Sequence, residues 1–362
     1  MTQRLNDSTR LNSLDGLRGF AVLLVFVVHF AQFALEKKYA LLPWEQSIYS
    51  FTFYYGQTGV DLFFALSGYL IYDALIRQKF DTREYIKRRT FRIYPVFLFI
   101  LAIYSTAALL GFHKEKAAEL GSNLWQISSY LFLNILLIPL MPTAFGITPL
   151  ITATWSLAYE MLFYLVGPLI TRPTGFYKLS TKNRLFIIII FTIIAQLLMV
   201  YTNGFARPLM FLSGIIVSEL SRKMQYRCPS GLGVFALFLS PLIVVIFPPA
   251  HRFPAIEVFL LYGLLLYETV TPGTLANRIF SNSLLCRIGI ISYSLYLCHT
   301  LILRIYFRYV PSAIDFPIIF NLAPALIIVC CVAWLMYRTI EAPFISLTHK
   351  EKLDIPRASL SV

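Results

Sequence analysis

Ionisable side chains inside apolar runs are costly in a bilayer and mark working groups, and this chain of 362 residues carries several. Arg18 and His29 stand eleven positions apart. On an α-helix that spacing falls within about 20° of three full turns, so both side chains share one face, separated by roughly 16 Å of rise. An arginine at the mouth and an imidazole deep along the same face are placed to line one shaft. A snorkelling anchor at Arg18 and a hydrogen bond between helices at His29 are the plainer readings. Asp61 lies near the outer end of Gly59–Tyr69, with Ser67 and Gly68 deeper. An aspartate beside a histidine orients the ring and stabilises its protonated form; an aspartate at the interface simply faces water. Gly59 and Gly68 let a helix, or the thin chain of a ligand, come close.

Arg77, Lys79, Arg83, Lys87, Arg88, Arg89 and Arg92 follow within sixteen positions. Arg89 and Arg92 are neighbours on a helix face, and guanidinium forks suit phosphate. Anionic lipid headgroups would attract the same patch. Glu160 sits about two turns inside Thr154–Tyr164, a run without a basic residue, so its charged partner must come from another helix. His299 lies about as deep as His29, and together they suggest a polar centre. Glu219, Glu257 and Glu268 fall nearer the ends of apolar runs and read as interfacial. No Walker loop, dinucleotide glycine pattern, HExxH or GxSxG is present. Cys228, Cys286, Cys298, Cys330 and Cys331 show neither metal spacing nor a disulfide framework, so no metal is expected.

The elements that hold these residues must be membrane helices. The chain is 58% apolar and 14% charged, with mean hydropathy +0.69, against roughly 45–50% and 25% for soluble domains. That excludes a disordered chain, a disulfide scaffold and an ordinary soluble enzyme. The net charge of +13 fits cytoplasmic loop positives better than nucleic acid. Apolar runs of spanning length occur near 17–35, 58–76, 93–111, 124–140, 153–171, 185–202, 207–221, 231–247, 255–271, 288–306 and 317–338. The first lacks a cleavage site and carries Arg18, so it is a retained span rather than a signal peptide.

Simple alternation of all eleven runs, starting inside, leaves 14 basic residues inside and 17 outside, against the positive-inside rule. If one run between 93 and 171 fails to cross, the count becomes 23 inside and 8 outside. The weak member is 124–150, with Gln126, Asn134, Pro139, Pro142 and Pro149. The expectation is therefore an all-α polytopic membrane protein with about ten transmembrane helices and a re-entrant element near 124–150. Residues 1–16 form a cytoplasmic N-terminus, 17–345 the membrane domain and 346–362 a cytoplasmic tail. Internal repeats and low-complexity stretches are absent from the sequence.

Ser13–Phe20 with His29 resembles the Arg-x10-His signature of the membrane-bound acyltransferase-3 family. Gly59–Gly68, Arg88–Pro95, Trp155–Glu160, Ser292–His299 and Glu341–Pro343 resemble its other motifs, in order, across about 11–345. The resemblance implies about ten spans in a bacterial inner (cytoplasmic) membrane. It also implies transfer of an acyl group, usually acetyl, from cytoplasmic acetyl-CoA to an extracytoplasmic glycan such as O-antigen, exopolysaccharide or a lipid-linked sugar. Acyl-CoA is then a co-substrate, with no permanently bound cofactor and no nucleic-acid partner. Some members carry a C-terminal SGNH-hydrolase-like domain; this chain ends at Val362 without one, so a second transfer step would require a separate extracytoplasmic partner.

Under that resemblance Arg18, Arg88, Arg89 and Arg92 are expected to bind acyl-CoA, with Ser67 and Gly68 beside the pantetheine arm. His29 is the base that takes the acceptor's proton, with Glu160 and Asp61 as further catalytic candidates. His299, Trp155 and Tyr293 are acceptor-site candidates. The chief alternative is a secondary transporter of an anionic solute that uses the midplane His, Glu and Asp as proton relays. A lipid-binding scaffold would leave His29 and Glu160 unexplained.

Overall fold

The computed structural model describes residues 2–36, 43–78, 80–110, 124–136, 149–151, 153–202, 207–222, 228–246, 254–309 and 318–350. Among them every regular element is helical. The longer helices are α1 (Thr2–Glu36), α2 (Pro43–Gly56), α3 (Thr58–Leu75), α4 (Thr82–Leu109), α5 (Leu124–Leu136), α6 (Thr154–Thr171), α7 (Thr181–Thr202), α8 (Met210–Arg222), α9 (Leu232–Ile246) and α10 (Pro254–Val270). They are followed by α11 (Leu275–Phe280), α12 (Ser283–Ile290), α13 (Ser292–Tyr309), α14 (Leu322–Met336) and α15 (Ala342–Lys350), with a π-turn, Tyr337–Glu341, joining the last two. Asn12–Glu36, Thr82–Leu109, Thr181–Met199 and Ile319–Thr348 are long and apolar enough to cross a bilayer. On α7, Phe186, Ile190, Phe191, Ile194 and Leu197 are all exposed, a stripe that water would penalise and lipid does not. The chain is an integral membrane protein.

In their described residues the eleven apolar runs are largely helical, and three details go beyond the sequence reading. Between the first two apolar runs lies a helix the hydropathy does not announce, α2, whose Trp44, Ile48 and Phe51 are exposed. The run 288–306 is not one straight span: α12 and α13 meet at 74°, because Ile291 leaves helical geometry at φ −92°, ψ 5°. Helix α4 begins well before 93 and carries Arg83 to Arg92, since the Asp81 carboxylate caps it by accepting from Arg83 N (2.8 Å) and Glu84 N (3.2 Å). Residues 137–148, in the expected re-entrant element, and 351–362 lie outside the described residues.

The chain divides into two compact units, residues 1–78 with 167–330, and residues 79–166 with 331–362. In the first unit α1 packs against α2, α3, α10, α11, α12 and α13, and α3 lies along α8. Helix α1 runs unbroken through residue 16 and buries Ser13, whose hydroxyl donates to the Thr269 carbonyl at 3.0 Å. The described part of the N-terminal segment is thus continuous with the first span. In the second unit α4 packs against α15 and the π-turn. There the Asn134 side chain accepts from Leu150 N at 2.8 Å, so the backbone comes back to α5 sixteen residues on.

Candidate active site

The first unit brings His29 of α1 and His299 of α13 together, their ring centres 4.8 Å apart and their planes at 80°. Each ring is fixed by its own helix. Nδ1 of His29 lies 2.9 Å from the Val25 carbonyl, and Nδ1 of His299 lies 3.2 Å from the Leu295 carbonyl. A carbonyl can only accept, so both rings carry their proton on Nδ1 and present an unprotonated Nε2, a tautomer assigned from the hydrogen bonds. His29 is half-buried; His299 is fully buried, and its Nε2 has no hydrogen-bond partner. A chain of aromatic rings leads away from the pair. Tyr296 lies 5.9 Å from His299 and Phe63 lies 6.0 Å from Tyr296. Toward the end of α1, Phe30 and Phe33 lie 5.3 and 6.2 Å from Phe307. The continuity of α1 keeps Arg18 on the His29 face, where its Nη1 pairs with Asp15 at 2.8 Å.

The Val25 carbonyl, not Asp61, holds Nδ1 of His29, and Asp61 faces a different partner. Asp61 is buried in the first turn of α3, where the helix dipole favours a carboxylate. Its Oδ1 lies 3.8 Å from Arg207 Nε, and Arg207 also donates to Gln57 Oε1 at 2.9 Å. The pairing could not be read from the sequence, because the partners are far apart along the chain. Ser67 is half-buried on α3. A side chain at Gly68 would collide with the Phe211 carbonyl, and one at Gly214 with the Ala65 carbonyl. Of the two uses open to Gly68, the structure shows the close helix contact, and α8 fills the space on that face.

Two acidic residues read as interfacial are fully buried. Glu219 accepts from Arg184 Nε and Nη2, and also from the Tyr72 hydroxyl. Glu268 accepts four backbone N–H groups: Gly231 (2.6 Å) and Ala276 (3.1 Å) on Oε1, Gly233 (2.6 Å) and Val234 (3.1 Å) on Oε2. These amides open α9 and α11, so one carboxylate caps two helices.

In the second unit, Arg89 of α4 lies across two phenol rings, its guanidinium carbon 4.9 Å from the Tyr164 centroid and 5.5 Å from that of Tyr85. The Tyr164 hydroxyl donates to the Glu160 carboxylate. Arg89 also interacts electrostatically with Glu160, so a cation from another helix does act on this carboxylate. Tyr164, one turn beyond Glu160 on the same face, is a partner that the sequence reading missed and that i,i+4 spacing signals. Arg88 pairs with Glu84 at 2.7 Å. Arg92 acts on the same Tyr164. Trp155 stacks edge-on with Tyr159 at 6.3 Å. Tyr293 opens α13 one position after Ser292 and is half-buried. Among the described residues no group of three or more His, Cys, Asp or Glu gathers as a metal site.

Residues 11–338 match the family model described as an acyltransferase domain. Over 176 residues the chain is 34% identical to O-acetyltransferase OatA of Staphylococcus aureus (strain NCTC 8325 / PS 47), covering 44% of this chain and 24% of that protein. It is 27% identical over 372 residues to YrhL of Bacillus subtilis (strain 168), which is named for peptidoglycan O-acetylation; that match covers 91% of this chain and 54% of YrhL. SACOL0978 of Staphylococcus aureus (strain COL) is 29% identical over 376 residues, covering 91% of this chain and 56% of that protein. The chain thus spans about half the length, or less, of the curated relatives it matches. No solved structure matches it.

Proposed function

The chain belongs to the acyltransferase family whose domain model covers residues 11–338, and from that premise we propose that it transfers acetyl from acyl-CoA to a glycan hydroxyl. The donor is cytoplasmic and the acceptor an extracytoplasmic polysaccharide or lipid-linked sugar. The observation that carries this reading is the His29 geometry. With Nδ1 tied to the Val25 carbonyl at 2.9 Å, Nε2 is left as a fixed acceptor, as a general base requires. The acceptor oxygen attacks the thioester carbonyl while Nε2 removes its proton. The carbon–sulfur bond breaks, and the proton leaves with the thiol.

Arg18, on the same face roughly three turns away, is the cation for the donor's anionic end at the mouth of that face. Arg92 and Arg89 serve the CoA phosphates, with guanidinium forks matched to them. Glu160 holds the Arg89 fork in one orientation through charge and through Tyr164. Both termini are cytoplasmic in this reading, the membrane is the bacterial inner membrane, and about ten segments cross. The Asn134–Leu150 contact supports a segment near 124–150 that turns back instead of crossing.

The test uses purified protein in lipid nanodiscs with radiolabelled acetyl-CoA and an oligosaccharide acceptor. Label is expected in the sugar as a base-labile ester, and cells lacking the protein are expected to lose acetyl mass from a surface glycan. Binding of acetyl-CoA without transfer to any hydroxyl acceptor would overturn the assignment.

A further inference from the structure

We propose that His299 shares with His29 the proton taken from the acceptor hydroxyl, so that two imidazoles rather than one serve the transfer. The inference rests on the acyl-transfer reading and extends it to a residue that touches neither substrate. Both rings spend their only N–H on a carbonyl of their own helix. Each therefore presents a bare Nε2, and the ring centres lie 4.8 Å apart. Two lone pairs cannot bond one another. A buried nitrogen with no partner, as at His299, is a standing cost that folded proteins rarely keep without use.

One added proton removes that cost. When His29 accepts it, Nε2 becomes a donor, and a turn of the rings from their present edge-to-face setting brings the lone pair of His299 to it as acceptor. Glu36, seven residues along α1, is a carboxylate that acts on His29 through charge, but a buried imidazolium without a hydrogen-bond partner remains expensive. The bookkeeping closes without a further reactant. The acceptor O–H breaks and the ester C–O bond forms; the thioester C–S bond breaks, and the proton held by the pair passes to the departing thiolate. His299 acts through His29 and is a positioning residue.

Two measurements test this. In the ¹⁵N-histidine spectrum of the wild-type protein at neutral pH, both Nε2 atoms should give the unprotonated signature; a protonated Nε2 on His299 overturns the pairing, whatever the activity. In His299→Gln, an amide replaces the ring and cannot hold the proton. There kcat for acetyl transfer should fall about 10–100-fold, a part of the full general-base effect. KM for acetyl-CoA should stay within about twofold, and the melting temperature should be unchanged. A Gln variant with wild-type kcat, or one whose loss lies wholly in acetyl-CoA binding, overturns the proposal. If the wild-type protein transfers no acetyl group, the acyl-transfer reading fails. A fully active His299→Gln beside an inactive His29→Ala removes only the pair.

Discussion

Arg184 grips Glu219 at two points, Nε to Oε1 at 2.6 Å and Nη2 to Oε2 at 3.1 Å, with the carboxylate fully buried. The pair ties α7 to α8, and Tyr72 of α3 joins it through its hydroxyl. Removing one member leaves the other charge buried. Arg184→Ala should therefore destabilise the first unit by about 3–5 kcal/mol, seen as a lower melting temperature in detergent. Replacing both residues by apolar side chains of similar volume should cost far less than either single change. Equal losses in the single and double variants would show that the ion pair does not hold these helices.

His29→Ala should lower acetyl transfer by about 10²–10⁴-fold, the usual range for a general base, while acetyl-CoA still binds. His29→Gln keeps a hydrogen bond to Val25 within reach but accepts no proton, so it should fail nearly as badly. A bond that merely joined helices predicts the reverse, with Gln active and Ala chiefly less stable. Transfer rates, calorimetric binding and melting temperature on the same preparations separate the two.

Arg92→Ala should weaken acetyl-CoA binding by about 1.5–3 kcal/mol, the worth of a charge-assisted hydrogen bond, with little change in melting temperature. Arg89→Ala should lower both, because it also strips Glu160 of its cation and empties the slot beside Tyr85 and Tyr164. Arg89→Lys should recover the charge but not the stacking. Unaltered acetyl-CoA affinity in both alanine variants would move the donor site away from α4.

Gly68→Ala tests the contact between α3 and α8. The added carbon meets the Phe211 backbone, which cannot swing aside as a side chain would, so the loss should be about 1–3 kcal/mol of stability. Gly214→Ala should behave alike, since its carbon meets the Ala65 carbonyl. The signature is a lower melting temperature at unchanged acetyl-CoA affinity per folded molecule. Weaker binding at full stability would return Gly68 to the donor's path.

The helices were legible because apolar runs of spanning length have few other homes. The shared face of Arg18 and His29 followed from spacing alone, and α1 is unbroken between them. Helix α2 was missed because its apolar residues are interspersed with Glu45, Gln46 and Ser47 in a stretch that reads as a linker. The bend at Ile291 escaped because hydropathy continues smoothly across a single residue whose backbone turns. The partners of Glu219, Glu268 and Asp61 escaped the sequence for a common reason. Distance from the end of an apolar run says how deep a carboxylate sits along its own helix, but not which arginine or amide the fold brings to it. The His29 tautomer depends on a carbonyl four residues away, a local contact that helix geometry alone supplies.

Glu268 is synthesised after most of the amides it holds. Gly231, Gly233 and Val234 precede it by 37, 35 and 34 positions. At about 5–20 residues per second of translation, the start of α9 waits roughly 2–7 s for its anchor. During that interval water must serve those N–H groups, which keeps the α9 entrance at the aqueous boundary while the rest of the helix enters lipid. Ala276 follows the carboxylate by only 8 positions, so α11 meets an acceptor already made. A single buried side chain thereby joins the start of α9 to α10 across 34–37 residues and the start of α11 across only 8.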